Sequence, residues 1–410
     1  MNQWIRKLAD SGHKDARMVV GLMSGTSLDG LDVALCRVHG SSIATDVELL
    51  RFATVPFSSP VEERLRSSAF RPDLTLQEAL TLESRLSGEW ARIVLQTLQE
   101  WDIFRGDVDL ISSHGQTLLH LPDPENGHHA TCQIVDGDHL ATATGIPVAS
   151  DFRQKLIALG GEGAPLAPLA EVLLFGSVAE KRVLLNLGGI ANMTFLPAGE
   201  RGGGPKPEST LRKRPGAKPV KVPFSSDCGP ANTLMDEAVR REHPERRYDE
   251  GGTLAAAGRP DHELVKKLMS LPFFQRPFPK STGQEEFSLD RLNEATEGEL
   301  NRMDLPDLLA TLCELSAISV AEAVSYAEAG RASLYASGGG VKNRSLMERI
   351  STHLPEMEIR KIGELGVPFD AKEAVLFAVL GNELISGAGW VFGSGERFTV
   401  GKLSFPASDP

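Results

Sequence analysis

Val19–Val38 reads VVGLMSGTSLDGLDVALCRV, two apolar runs around a knot of small and acidic residues. The flanks, 18–23 and 31–38, have the β-branched, apolar make-up of buried strands. Between them lie Ser24, Gly25, Thr26, Ser27, Leu28, Asp29 and Gly30. Turns favour Gly, Asp and Ser for backbone reasons alone. Here the glycines at 25 and 30 would also let a phosphate approach the main chain closely. Thr26 and Ser27 add hydroxyl donors, and successive N–H groups in such a turn form an anion-binding nest. Asp29 and Asp32 supply hard oxygen atoms, and Mg²⁺ is commonly held by one or two carboxylates together with phosphates and water. Asp32 falls in the second strand, where a structural role weighs equally. The stretch predicts a strand–turn–strand hairpin able to cradle phosphate.

Outward from this hairpin, strand-like and helix-like segments alternate, which predicts an α/β protein. A third strand follows near 47–56, then a long helical stretch, LTLQEALTLESRLSGEWARIVLQTLQEW, over 74–101. VDLISSHG and TCQIVDG read as strands, then a short helix and the strand IPVAS. From Arg182 the order repeats: RVLLNLGGIANMTFLP is again strand, Gly-rich turn, strand. SSDCGPAN turns from strand into helix, and a helix near 304–329, the strand LYASGGG, a helix from Asn343, a strand near 358–361 and the helix KEAVLFAVLGNELI follow. The two halves share an order of elements without sharing sequence, which predicts an internal structural repeat with mixed sheets. The expected division is 18–150, 151–385 and a tail, 386–410. The Gly/Pro/Lys/Arg-rich run 198–222 reads as a surface insertion.

A chain of 410 residues has room for two domains, each with its own core. A net charge of −12 argues against general binding to nucleic acid or anionic membrane. The first residues contain no apolar run of the kind a signal peptide needs. Cys36, Cys132, Cys228 and Cys313 are far apart and form no CxxC pair, which fits a reducing cytoplasm rather than a disulfide or zinc framework.

Common signatures of nucleotide and hydrolase sites, GxxxxGK[ST], GxGxxG after a strand, HExxH and GxSxG, are missing. Nucleotide would therefore have to be held by turns at strand ends. NLGGIAN, with Gly188 and Gly189, is the second block's equivalent of the first hairpin turn and reads as a second phosphate clamp. SGGGVKN, with Gly338 and Gly339, ends a strand and starts a helix, and fits a nucleoside. Asp227, in DCGPAN, sits at a strand end before a helix. It reads equally as a general base and as a helix N-cap. His114 and His120 lack metal-ligand spacing, so hydrogen-bonding roles suit them better.

In chain order, SGTSLDG, SHGQT, ASDFR, LGGEGAPL, NLGGIAN, DCGPAN, PKSTG and the GGG-plus-Asn stretch cover about 18–385. Together they resemble the anhydro-N-acetylmuramic acid kinase family of the sugar kinase/Hsp70/actin superfamily. The resemblance implies two actin-like (ribonuclease H-like) lobes, ATP with Mg²⁺ in a cleft between them, and a homodimer. It implies that the 1,6-anhydro ring of the muramic sugar is opened by water while O6 is phosphorylated, a step of peptidoglycan recycling in the cytoplasm. Gly25 to Asp32 (Gly25, Thr26, Ser27, Leu28, Asp29, Gly30, Leu31, Asp32) would match the ATP-phosphate segment, and Asp29 the acid at the metal. Asp227 would match the catalytic base, which favours that reading over the N-cap. Thr117 and Glu373 would lie near the sugar, and Asn232, Gly338 and Gly339 on the nucleotide. The chain departs from the family pattern at Leu156, where DFRxxD has its second acid, at Glu162, where GGQGAP has Gln, and at Ala231, where DCGPGN has Gly. Levoglucosan kinase shares the motifs and is the rival enzyme. A nucleotide-switched actin- or Hsp70-like protein is the non-enzymatic rival.

Overall fold

The structure is a computed structural model and describes residues 2–25, 28, 30–71, 73–121, 128–199, 223–282, 286–327, 329–391 and 397–407. Thr26, Ser27 and Asp29 of the first turn, and 200–222 of the insertion, lie outside the described residues. The chain divides into two compact units. Among the described residues, one comprises 2–175 and 366–407; the other comprises 176–199 and 223–365.

In the first unit, β1 (Ala16–Met23), β2 (Gly30–His39) and β3 (Asp46–Pro56) form an antiparallel meander. β4 (Leu110–Ser113) pairs parallel with β1, and β7 (Val148–Ser150) parallel with β4. The helix Leu76–Glu100 provides the crossover, started by a capping box in which Thr75 and Glu78 satisfy each other's backbone N–H groups. Its Leu82, Leu86, Trp90, Ile93 and Val94 are buried at three- and four-residue spacing in the same apolar core as Val20, Leu22, Val33 and Leu35. β5 (Gln116–Leu121) and β6 (Ala130–Ile134) form a separate hairpin; the sequence reading had not marked β5 as a strand.

The second unit repeats this plan. β8 (Arg182–Leu187), β9 (Ile190–Leu196) and β10 (Phe224–Pro230) are antiparallel, and β11 (Ser333–Ser337) and β12 (Glu358–Lys361) add parallel to β8. Both sheets therefore run third, second, first, fourth, fifth strand, the ribonuclease H-like order. The helix Leu305–Tyr326 is long and apolar enough to cross a membrane. It is instead the core helix of this unit, with Leu309, Leu312, Leu315, Val320 and Val324 in one cluster with Val183, Leu185, Met193 and Leu234.

The division differs from the sequence expectation at both ends. Residues 151–175 and 366–385 belong to the first unit, not the second. The helix Lys372–Ser386 packs on β1 so closely that a Cβ on Gly21 would stand 1.9 Å from the carbonyl oxygen of Ala374. The supposed tail supplies the strand Lys402–Ser404, antiparallel to β7 and extending the first sheet to six strands. Helix amphipathicity reports that a face is buried; it does not report against which sheet.

Candidate active site

Asp227 lies in β10 opposite Asn192, and a β-bulge separates it from the next pair, Gly229–Ala191. Bulges re-aim side chains and recur beside functional sites. The following helix, Asn232–Glu242, is capped by Ala231, which makes no side-chain cap. The N-cap reading of Asp227 is therefore wrong, and so is the strand-end placement: the residue lies in the middle of β10, three positions before the strand ends and four before that cap. Its Oδ2 accepts the Thr282 N–H at 2.8 Å, and its own N–H donates to the Lys280 carbonyl at 2.9 Å. The carboxylate is partly buried, and desolvation lifts its pKa to about 6 against the opposing Thr282 hydrogen bond. That value suits a group that must be ionised near neutrality and still hold a proton when it takes one.

The segment bracing Asp227 is itself anchored by Lys280. Its ammonium donates to the Phe273 and Phe274 carbonyls, both at 3.2 Å, and lies 4.5 and 4.4 Å from the Phe273 and Phe278 ring centres. Its N–H donates to Ser226 Oγ at 2.9 Å. Burial depresses the Lys280 pKa, with Glu322 and Cys228 opposing. Sequence reasoning had PKSTG as a motif only; a single Lys among scattered Phe gives no signal of a cage.

The two Gly-rich turns of this unit meet. Gly338 has φ +90°, and a Cβ there would stand 2.5 Å from the Leu187 carbonyl oxygen, so only glycine fits. Asn232 is the brace: its Nδ2 donates to the Leu187 and Gly188 carbonyls at 2.9 and 2.7 Å. The N–H groups of Ala231, Asn232 and Thr233 donate to the Gly189, Gly188 and Gly189 carbonyls. That helix start is thus closed by backbone carbonyls. Gly188, Gly189, Asn232, Thr233, Asp236 and Arg240 line a cavity of about 410 Å³. Asp236, unmarked by the sequence reading, is half-buried there. Desolvation raises its pKa to about 6, Arg240 opposing.

In the first unit, the described part of the phosphate-turn candidate is Gly25, Leu28 and Gly30 to Asp32. Leu28 is buried with φ 58°, a left-handed conformation unusual for a leucine. Leu31 is buried in β2, and Asp32 Oδ1 accepts the Thr54 hydroxyl across the sheet at 2.6 Å. The SHGQT motif puts His114 in a fully buried position, its ring 4.8 Å from that of Phe377, with Nε2 2.9 Å from Arg153 Nη2. Burial first, and Arg153 next, push its pKa down to about 3, so it is a neutral acceptor for Arg153. Arg153, of ASDFR, is itself lowered to about 10 by burial. Thr117 accepts from Gln133 Nε2 at 3.3 Å in the β5–β6 hairpin. Glu373 is exposed at the start of its helix; close surrounding protein raises its pKa, Lys372 opposing and Asp32 and Glu171 adding. Lys372 pairs with buried Glu171 at 2.7 Å. Among the described residues, His114 Nδ1, Gln116 Oε1 and Glu171 Oε2 are buried polar atoms without a hydrogen-bond partner, of the kind that ligands or water satisfy.

A family model described as anhydro-N-acetylmuramic acid kinase matches residues 17–205 and 216–391. The curated anhydro-N-acetylmuramic acid kinase of Pseudoalteromonas atlantica is 42% identical over 99% of this chain and 100% of its own. That of Pseudoalteromonas translucida is 38% identical over 99% and 100%. The Salinibacter ruber enzyme is 37% identical over 96% and 97%. The repeated strand order, the turns at the strand ends and these matches place the chain in the anhydro-N-acetylmuramic acid kinase family.

Proposed function

We propose that the chain uses ATP and water to open the 1,6-anhydro ring of anhydro-N-acetylmuramic acid and to phosphorylate O6, yielding N-acetylmuramic acid 6-phosphate and ADP. The observation that carries this reading is Asp227: a carboxylate at a strand bulge, held by one N–H, with its pKa lifted to about 6. Asp227 takes a proton from water as the water oxygen attacks C1. The C1–O6 bond breaks, and O6 accepts the γ-phosphoryl group of ATP. Thr117 and Glu373 bind the sugar, and the raised pKa of Glu373 suits a carboxyl that can donate as well as accept a hydrogen bond. Gly188, Gly189, Gly338 and Gly339 hold the nucleotide, with Asn232 fixing the Leu187–Gly188 turn to the start of its helix. Gly25 to Asp32 takes the phosphates. Asp29, the hairpin-turn acid, would hold Mg²⁺, which would neutralise phosphate charge. The two units act as the two actin-like lobes of a cytoplasmic homodimer.

The rival sugar, levoglucosan, lacks the lactyl and N-acetyl groups. The deciding experiment supplies ATP with either sugar in ¹⁸O-water and follows products by mass spectrometry. We expect one ¹⁸O at C1 of the muramic product, and a kcat/KM for levoglucosan lower by about tenfold or more, since a site built for hydrogen-bonding groups rejects analogues lacking them. Faster turnover of levoglucosan, or product without label at C1, would overturn the reading.

A further inference from the structure

The helix Asn232–Glu242 presents Asn232, Asp236 and Arg240, each one turn from the last, to the 410 Å³ cavity over Gly188 and Gly189. Helix starts usually attract phosphate through free N–H groups. This one cannot, because the first N–H groups are spent on the Gly188 and Gly189 carbonyls. The Asn232 amide is spent on Leu187 and Gly188 as well. What remains for a ligand is the Asp236 carboxylate, which accepts no hydrogen bond from any described residue. A carboxylate repels phosphate and needs donors. Arg240, one turn on, offsets part of its charge without pairing with it, so neutral donors can complete the site without a further cation.

We propose that Asp236 accepts hydrogen bonds from the vicinal 2′- and 3′-hydroxyls of the nucleoside ribose, so that this cavity takes the sugar of the nucleotide and not its phosphates. The proposal rests on the ATP-dependent reading above. A vicinal diol matches the two oxygens of one carboxylate, and the glycine turns alongside leave room for a sugar against the backbone. Burial raises the Asp236 pKa, the state expected of a carboxylate missing its donors.

The test titrates wild type, Asp236→Asn and Asp236→Ala with ADP, 2′-deoxy-ADP and 3′-deoxy-ADP by calorimetry, and runs steady-state kinetics with the matching triphosphates. Wild type should bind ADP about tenfold or more tighter than either deoxy analogue, because losing one hydroxyl leaves an oxygen of the half-buried carboxylate unmatched. Both variants should bind ADP about tenfold more weakly and discriminate by less than about threefold, with the kinetic loss in KM for ATP rather than in kcat. A purely structural Asp236 would lower the melting temperature and leave the discrimination intact, which overturns the proposal. So does a wild type that binds all three alike. A wild type that binds no adenine nucleotide overturns both this proposal and the ATP-dependent reading. Retained discrimination in the variants overturns the Asp236 assignment alone.

Discussion

Asp227 carries opposite costs for folding and for catalysis. Its folded pKa of about 6 lies above the ordinary 3.8, so the folded state holds the proton more tightly than the unfolded chain. Stability therefore falls as pH rises from about 4 to 6, and the loss is complete above that. Two pKa units set an upper figure of about 3 kcal/mol, reduced by the partial exposure of the group. Asp227→Asn should thus melt higher than wild type at pH 8 and lose that advantage near pH 4, since the amide oxygen can still accept the Thr282 N–H. The same variant should lose kcat by about 10²–10⁴-fold, the usual worth of a general base. In wild type, kcat should rise with pH through an acid limb near 6 as Asp227 ionises. Melts across pH beside steady-state kinetics check both; an Asn variant with near-normal kcat would remove Asp227 from the chemistry. DCGPAN made Asp227 visible in the sequence. Its place within the strand, at a bulge and not at an N-cap, was not legible there, because its partners Thr282 and Lys280 lie more than fifty residues away.

At the level of elements, two close backbone approaches carry both sites. Gly21 lets the Lys372–Ser386 helix rest on β1, and so places Glu373 and Phe377. Gly338 lets the third glycine turn rest on Leu187. Gly21→Ala would press a methyl group into the Ala374 carbonyl and must displace that helix. We expect it to cost about 1–3 kcal/mol, as overpacking of a tight contact does, and to weaken sugar use. Gly338→Ala adds backbone strain at φ +90° of about 1 kcal/mol or more, and its functional loss should fall on nucleotide. Denaturant melts, with KM measured separately for ATP and sugar, check this; a Gly338→Ala variant affecting only the sugar would contradict the placement. Strand identity was legible here from the apolar runs and the Gly-rich turns. The need for glycine at 21 was not, because Val20 and Leu22 around it read as ordinary strand.

For the molecule as a whole, the chain closes the first unit only at its end. The Lys372–Ser386 helix and the Lys402–Ser404 strand return to a sheet that began at Ala16. Trp90 is fully buried in that unit's core. Trp90→Ala should cost about 3–5 kcal/mol. Native-state hydrogen exchange should then show β1, β2, β4 and the Lys372–Ser386 helix losing protection together, while β8, β9 and β11 keep theirs. Protection of that helix following the second unit's strands instead would contradict the division.

Local chemistry was enough to specify the elements. Alternating and continuous apolar runs around Gly25–Gly30 and Gly188–Gly189 dictated the two hairpins, the spacing of Leu82, Leu86, Trp90 and Val94 dictated a long amphipathic helix, and the repeated order of elements dictated paired sheets. Those signals reside in neighbouring residues, where periodicity and turn preference act. Tertiary structure alone decided that residues 366–385 join the first sheet, that Lys402–Ser404 is a strand, that His114 is buried against Arg153, and that Asp236 faces a cavity whose helix start is already closed. Each of these depends on desolvation and hydrogen bonding between segments distant along the chain, and no local pattern records which distant partner a side chain will meet.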